Sequence, residues 1–258
     1  METENNSAVE SDLLFRMTLS EIVNKDFRTA QIFEKYNLDY CCRGNKSLSE
    51  ACFEKGLKSG QILTELQDIS LSIKKDSVRF DDWELDFLID YIINNHHHYI
   101  RNNIPLISNL ADKVVSAHSK LHPEATKISE IFSALGKELS RHLMKEEQIL
   151  FPYIKNLVKI KNNSSKFEPP YFSTVANPIK MMEAEHTSAG DEMNEIRELS
   201  KNYQIPQDAC NTFKVFYNEL KEFEEDLHKH VYLENNILFP KSIELENKLL
   251  KENSNIIL

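Results

Sequence analysis

His142-Leu143-Met144-Lys145-Glu146-Glu147-Gln148-Ile149-Leu150-Phe151-Pro152 returns later in the chain as His230-Val231-Tyr232-Leu233-Glu234-Asn235-Asn236-Ile237-Leu238-Phe239-Pro240. Both copies reduce to H-x-x-x-E-x-x-I-L-F-P, offset by 88 residues. A four-residue step on an α-helix turns through ~400° and rises ~6 Å, so each His and its Glu share one face. Imidazole and carboxylate one turn apart form a metal-ligand pair. Two such pairs bring four ligands to one place if the two helices face each other.

Around these copies the sequence reads as four long amphipathic segments from Asp81 onward. Segment A sets Ile89, Ile93, His97, Ile100, Ile104 and Ile107 at steps of four or three. Segment B continues the spacing through Ile128, Phe132, Leu135, Leu139, His142, Glu146 and Ile149. Segment C does so through Ile179, Met182, His186, Ala189, Met193 and Ile196. Segment D runs through Phe213, Phe216, Leu220, Phe223, Leu227, His230, Glu234 and Ile237. This periodicity predicts an all-α four-helix bundle. Short connections near His122-Pro123 and Tyr203–Pro206 predict two antiparallel hairpins, and the polar, Pro-containing stretch 161–172 a crossover. His97 to His142 spans 45 residues and His186 to His230 spans 44, so the hairpins repeat one another.

Each seam carries a His as its polar intruder, with a Glu one turn later in B and D. A buried ionised carboxylate without a partner is costly, and no Lys or Arg lies on these seams to compensate. A pair of cations would. No Cys lies on the seams, which speaks against a zinc–thiolate site. Four imidazoles and two carboxylates suit two first-row ions of intermediate hardness, Fe or Mn, with Zn left open. His96 and His98 point ~100° to either side of His97 on a regular helix and are expected off the site. His228 is expected to be solvated, and His118 and His122 to be incidental. Glu147 and Glu185 fall off the seams; they could hold imidazole N–H groups from outside the site, but a solvated face is the favoured expectation.

Composition narrows the function classes. The 258 residues include only 5 Gly and 8 Pro, which favours helix, and the net charge of −10 with no basic block disfavours nucleic acid and membrane surfaces. No run of 18 apolar residues exists. The acidic, polar start is unlike a secretory signal, and Cys41, Cys42, Cys52 and Cys210 do not form a disulfide framework, so a reducing cytoplasm is expected. Residues 1–16 read as a disordered leader, 17–70 as a small helical domain, 71–80 as a linker and 81–258 as the bundle. In the small domain, Thr18-Leu19-Ser20-Glu21 and Ser47-Leu48-Ser49-Glu50 are capping-box helix starts. They flank a turn at Tyr40-Cys41-Cys42-Arg43-Gly44. Exposure beside Arg43 predicts a lowered thiol pKa in the Cys41-Cys42 pair that favours redox or metal contact, the alternative being a partly buried structural pair.

With these residues in view, the bundle resembles the hemerythrin-like superfamily. The whole chain from about Thr18 is similar to the bacterial di-iron proteins that repair iron–sulfur clusters. The carrying stretches are Tyr40-Cys41-Cys42-Arg43-Gly44, His97-His98-Tyr99-Ile100-Arg101 with Pro105, the two H-x-x-x-E copies, and Met182-Glu183-Ala184-Glu185-His186. The resemblance implies ligands at His97, His142, Glu146, His186, His230 and Glu234. It further implies two Fe ions, each taking two His, bridged by both carboxylates and by oxo or hydroxo groups. The function implied is repair of clusters damaged by oxidative or nitrosative stress, by iron donation or by processing nitric oxide at the site. The implied partners are damaged iron–sulfur proteins and O2 or NO, with room for a homodimer. An O2/NO sensor or store without repair activity is the alternative. A ferritin-like oxidase is disfavoured because such sites use E-x-x-H pairs and more carboxylate. Where oxygen-carrying hemerythrins place an extra His, this chain has Met182 and Gly190, which implies labile iron or an open position.

Overall fold

The computed structural model describes residues 12–71, 78–162 and 167–254. It divides into two compact units, Met1–Trp83 and Glu84–Leu258. The expected leader lies outside the described residues up to position 11, as do positions 72–77 of the expected linker and 163–166 of the crossover.

The first unit is built from short helices: α1 (Leu19–Lys25), α2 (Ala30–Lys35), α3 (Leu48–Glu54) and α4 (Ser59–Leu71). Thr18 and Ser47 each cap their helix through a capping box completed by Glu21 and Glu50, which satisfies donors that the first turn leaves free. Leu19, Ile22, Phe33, Leu48, Cys52, Ile62 and Leu66 form its core. Phe80 is buried in this unit, with its ring edge-on to Phe27 at 5.3 Å, so the unit continues past the expected linker.

The second unit holds four long helices. Helix α5 runs through Leu85–Ile92, Ile93–His97 and His98–His118. Helix α6 runs through Pro123–Lys145, Glu146–Leu150 and Phe151–Lys161. Helix α7 is Ala176–Leu199, and α8 runs through Asn211–Leu233, Glu234–Leu238 and Phe239–Ser254. Helix α5 packs on α6 and α8, α7 packs on α6, and the thinnest interface joins α7 to α8. The expected bundle of two helical hairpins is present.

The middle pieces of α5, α6 and α8 are π-helical turns. A π-turn holds one residue more than an α-turn and rotates everything beyond it. The strict seam expected from the sequence therefore slips. Ile149 lies 38% exposed while Leu150 is 1% exposed, and in α5 Ile92 is fully buried while Ile93 is half-buried. Helix α7 is unbroken.

Two buried carboxylates brace the unit. Glu224 of α8 accepts hydrogen bonds from Arg197 Nε (2.9 Å) and from the Tyr203 hydroxyl (2.8 Å), tying α8 to α7 and its following turn. That turn holds Lys201, Asn202 and Tyr203 at φ of 52°, 65° and 57°, a left-handed run unfavourable for non-glycine residues. Glu246 of α8 accepts from the Tyr153 hydroxyl, the Thr174 hydroxyl and the Val175 N–H, placing negative charge at the start of α7.

Candidate metal centre

The bundle brings all six seam residues together. One group unites His97, Glu146, His230 and Glu234, and a second unites His142, Glu146, His186 and Glu234; within each, the ligand atoms lie within 4.8 Å of one another. Glu146 and Glu234 belong to both. All six residues are at most 2% exposed. Every imidazole turns its Nε2 inward: His97 and His230 meet at 3.2 Å, His142 and His186 at 3.0 Å. The carboxylate oxygens divide between the groups. Glu146 places Oε1 3.3 Å from His142 Nε2 and Oε2 3.4 Å from His97 Nε2. Glu234 places Oε2 3.1 Å from His186 Nε2 and Oε1 3.0 Å from His230 Nε2.

The outward Nδ1 atoms explain this orientation. His97 Nδ1 lies 2.7 Å from Glu147 Oε1, and Arg101 donates to the same oxygen at 2.7 Å. His142 Nδ1 lies 2.9 Å from Glu185 Oε2, whose other oxygen accepts from Lys145. His186 Nδ1 lies 2.8 Å from Asn235 Oδ1. Burial raises the Glu147 and Glu185 pKa values, but His97 with Arg101, and Lys145 with His142, overcome it and hold both below the usual carboxylate range. Each is therefore an acceptor, which places the imidazole proton on Nδ1 and the lone pair on Nε2.

Lone pairs 3.0–3.2 Å apart, among four carboxylate oxygens without hydrogen-bond partners, repel unless positive charge sits between them. In the metal-free chain protons supply it. Burial pushes His97 down, yet Glu146 and Glu234 lift it to about 10; burial likewise opposes and Glu146 lifts His142 to about 9. Burial and Glu234 push Glu146 up, but His142 and His97 hold it down at about 2. Glu234 is likewise held well below the usual carboxylate range by His230, His186 and His97, against burial. A cation can replace those protons. Nitrogen ligands at ~2.1 Å and at right angles around one ion sit ~3.0 Å apart, close to the spacings here. The residues fit a pair of metal ions on both geometry and charge.

A cavity of about 500 Å³ between α6 and α7 reaches His142 and His186, rimmed by Glu138, Arg141, Lys145 and Glu185. Of the neighbouring histidines, His98 is exposed and His228 half-buried rather than fully solvated. His118 and His122 contact Cys210 and the Glu124 and Asp208 carboxylates near the ends of the helices. His96 is off the site, as expected, but 2% exposed and bonded to Asp226. The solvated face expected for Glu147 and Glu185 is corrected. Both lie off their own seams, yet each reaches the imidazole of a neighbouring helix. Their signal in the sequence is adjacency to Glu146 and His186.

In the first unit, the backbone N–H groups of Cys41 and Cys42 donate to Asp39 Oδ1 at 3.1 and 2.9 Å, and the Cys41 thiol donates to Cys42 Sγ at 3.8 Å, with no disulfide between them. The hydrogen bond to Cys42, burial and the Asp39 charge push the Cys41 thiol well above its ordinary pKa. The expected lowering is thus reversed at Cys41, because the turn folds it inward. Cys42 is half-buried. Asp39, Cys41 and Cys42 also form a three-ligand cluster. The turn needs Gly44, where a Cβ would stand 2.2 Å from Tyr40 O. Among the described residues no helix is long and apolar enough to cross a membrane.

Residues 88–242 match the hemerythrin HHE cation binding domain, and residues 16–70 match the ScdA N-terminal domain, a domain of unknown function. The chain is 35% identical over 226 residues to a probable iron–sulfur cluster repair protein of Haemophilus influenzae, covering 86% of this chain and 95% of that one. It is 35% identical over 229 residues to the iron–sulfur cluster repair protein YtfE of Enterobacter sp. strain 638, and equally to YtfE of Shigella boydii. Each of these alignments covers 87% of this chain and 96% of the relative.

Proposed function

The chain belongs to the iron–sulfur cluster repair proteins built on a hemerythrin HHE cation binding domain, and from that premise we propose how it acts. It restores iron–sulfur clusters damaged by oxidative or nitrosative stress, working from a di-iron centre held by His97, His142, Glu146, His186, His230 and Glu234. The observation that carries this reading is the pair of four-ligand groups sharing both carboxylates. His97 and His230 would hold one ion and His142 and His186 the other, and Glu146 and Glu234 each offer an oxygen to both groups. Bound there, iron supplies a ferrous–ferric redox change and is also the cargo delivered to a damaged cluster.

The protein's own residues set how firmly the cargo is held. Two carboxylates and four neutral imidazoles provide less negative charge than two ferric ions require, so the hold relies on donor strength. Glu147 and Glu185, backed by Arg101 and Lys145, strengthen His97 and His142 as donors. His186, the one ligand from α7, is oriented by the neutral Asn235 and borders the cavity. These residues would hold a ferrous ion less firmly than a ferric one, so reduction by an external electron donor would loosen their grip and favour delivery. Damaged iron–sulfur proteins are the clients, and the setting is a reducing cytoplasm, in keeping with four cysteines that form no disulfide among the described residues. Cys41 and Cys42 serve redox or partner contact, through the half-buried Cys42.

The experiment is to mix reduced, iron-loaded protein with an iron–sulfur enzyme inactivated by nitric oxide. His186→Ala protein and an equal dose of free ferrous iron run alongside. Wild type should restore activity best. Equal recovery with the variant sinks the repair reading. Reversible binding of O2 or NO without iron transfer would put a sensor or store in its place. Iron analysis of Glu146→Ala and Glu234→Ala should show both ions lost, since each carboxylate serves both groups; full iron in both variants sinks the ligand assignment.

A further inference from the structure

Three of the four inward-facing imidazoles have an acceptor at Nδ1, and the fourth does not. His230 is fully buried and its Nδ1 has no partner. The His96 ring lies against it, with centroids 5.9 Å apart and planes 5° from parallel. His96 is 2% exposed; its Nδ1 lies 2.8 Å from Asp226 Oδ1 and its Nε2 is buried without a partner. Asp226 Oδ2 and the Tyr99 hydroxyl are likewise buried and unpartnered on this face between α5 and α8. The Asp226 side chain is 23% exposed, so the group reaches from His230 toward solvent.

The demands of the two orphaned ring nitrogens are complementary. The Asp226 carboxylate accepts from His96 Nδ1, leaving a lone pair on His96 Nε2. His230 Nε2 faces Glu234 at 3.0 Å as a ligand atom, leaving the proton on His230 Nδ1. One buried donor and one buried acceptor on adjacent rings match a single molecule that both accepts and donates, and buried polar sites of this kind hold water. We propose that Asp226 and His96 are positioning residues for His230, acting through one buried water hydrogen-bonded between His96 Nε2 and His230 Nδ1. The inference rests on the di-iron reading above. It gives His230 the support that Glu147, Glu185 and Asn235 give the other three ligands. It also gives a role to a histidine that a regular helix would turn away from the site.

The test uses the full chain loaded with metal. In zinc-loaded protein, the exchange rates of the ring N–H protons are read by nuclear magnetic resonance. The His230 Nδ1–H should exchange slowly in wild type and rapidly in His96→Phe, while His97, His142 and His186 stay unchanged. In iron-loaded protein, reduced and mixed with a ferrous chelator, His96→Phe should release iron ~10–100-fold faster, the range for losing an outer partner of a ligand. Its midpoint potential should rise. Asp226→Asn, which keeps the shape and removes the charge, should fall between, and it carries the test if His96→Phe fails to fold. Phenylalanine preserves the stacked ring, so a purely packing role predicts no change in exchange, release or potential, and that result overturns the proposal. Failure of wild type to load metal, or full loading of His230→Ala, would instead overturn the ligand assignment itself.

Discussion

Replacing Arg197 by Met should destabilise the bundle by about 3 kcal/mol, and the structure shows why. Arg197 Nε and Nη2 both stand 2.9 Å from Glu224 Oε2, an oxygen that also accepts from the Tyr203 hydroxyl. Glu224 is 2% exposed and the Arg197 side chain 11%. Removing one partner of a buried ion pair strands the other charge at a cost of ~3–5 kcal/mol. Arg197 borders solvent, so its loss lets water approach Glu224, and the lower end, about 3 kcal/mol, is expected. For a unit of this size each kcal/mol moves Tm by ~2–4 °C, which predicts a fall of about 6–12 °C. The assay is thermal and urea unfolding of metal-free protein, so that metal binding does not mask the change. Tyr203→Phe removes a single hydrogen bond to a charged group and should cost less, ~1.5 kcal/mol. The double variant Arg197→Met/Glu224→Leu should recover most of the loss, since an apolar pair of similar volume replaces the ions. A single variant that melts with wild type, or a double variant no better than the single, would refute the reasoning.

Three further outcomes are expected. Glu147→Gln and Glu185→Gln should each weaken metal affinity by ~10–100-fold while leaving the fold intact, measured by competition with a chelator; unchanged affinity would reduce both contacts to surface pairs. Loading metal near neutral pH should release the protons of His97 and His142, held to about 10 and 9 without metal, so affinity falls as pH falls below those values; titration in weak buffer with a pH indicator reads the release, and loading without protons would contradict it. Gly44→Ala should unfold or rebuild the Cys41-Cys42 turn without touching metal content, because the added Cβ meets backbone rather than a side chain that can move; thiol-labelling rates of Cys41 report it, and rates equal to wild type would be the contrary result.

The bundle and the meeting of six residues were legible because helical periodicity and a duplicated motif constrain one another. His142 with Glu146, and His230 with Glu234, are one turn apart in sequence and remain so in space. What escaped was whatever depends on a neighbouring helix or on a departure from 3.6 residues per turn. Ile149 satisfies the spacing, yet the π-turn at Glu146–Leu150 hands its buried place to Leu150. Glu147 and Glu185 look solvated from their own helices and become hydrogen-bond partners only once the facing helix is known. His96 and Asp226 meet across 130 positions of chain, beyond any local pattern. Cys41 has Arg43 nearby in sequence, but its surroundings are set by Asp39, Cys42 and burial.

Each four-ligand group draws on both hairpins: His97 and Glu146 with His230 and Glu234, His142 and Glu146 with His186 and Glu234. Neither hairpin completes either position alone. A metal ion held this way is a cross-link between distant parts of the chain, comparable in topology to a disulfide. Closing a loop of ~100 residues removes about 4.7 kcal/mol of unfolded-state entropy in the chain-entropy account. If iron is delivered to a client as proposed, the staple goes with it. The donor left behind would then be a looser molecule whose two hairpins are joined by side-chain packing and the 161–172 connection. Its resistance to proteolysis and its hydrogen-exchange protection should report its iron content.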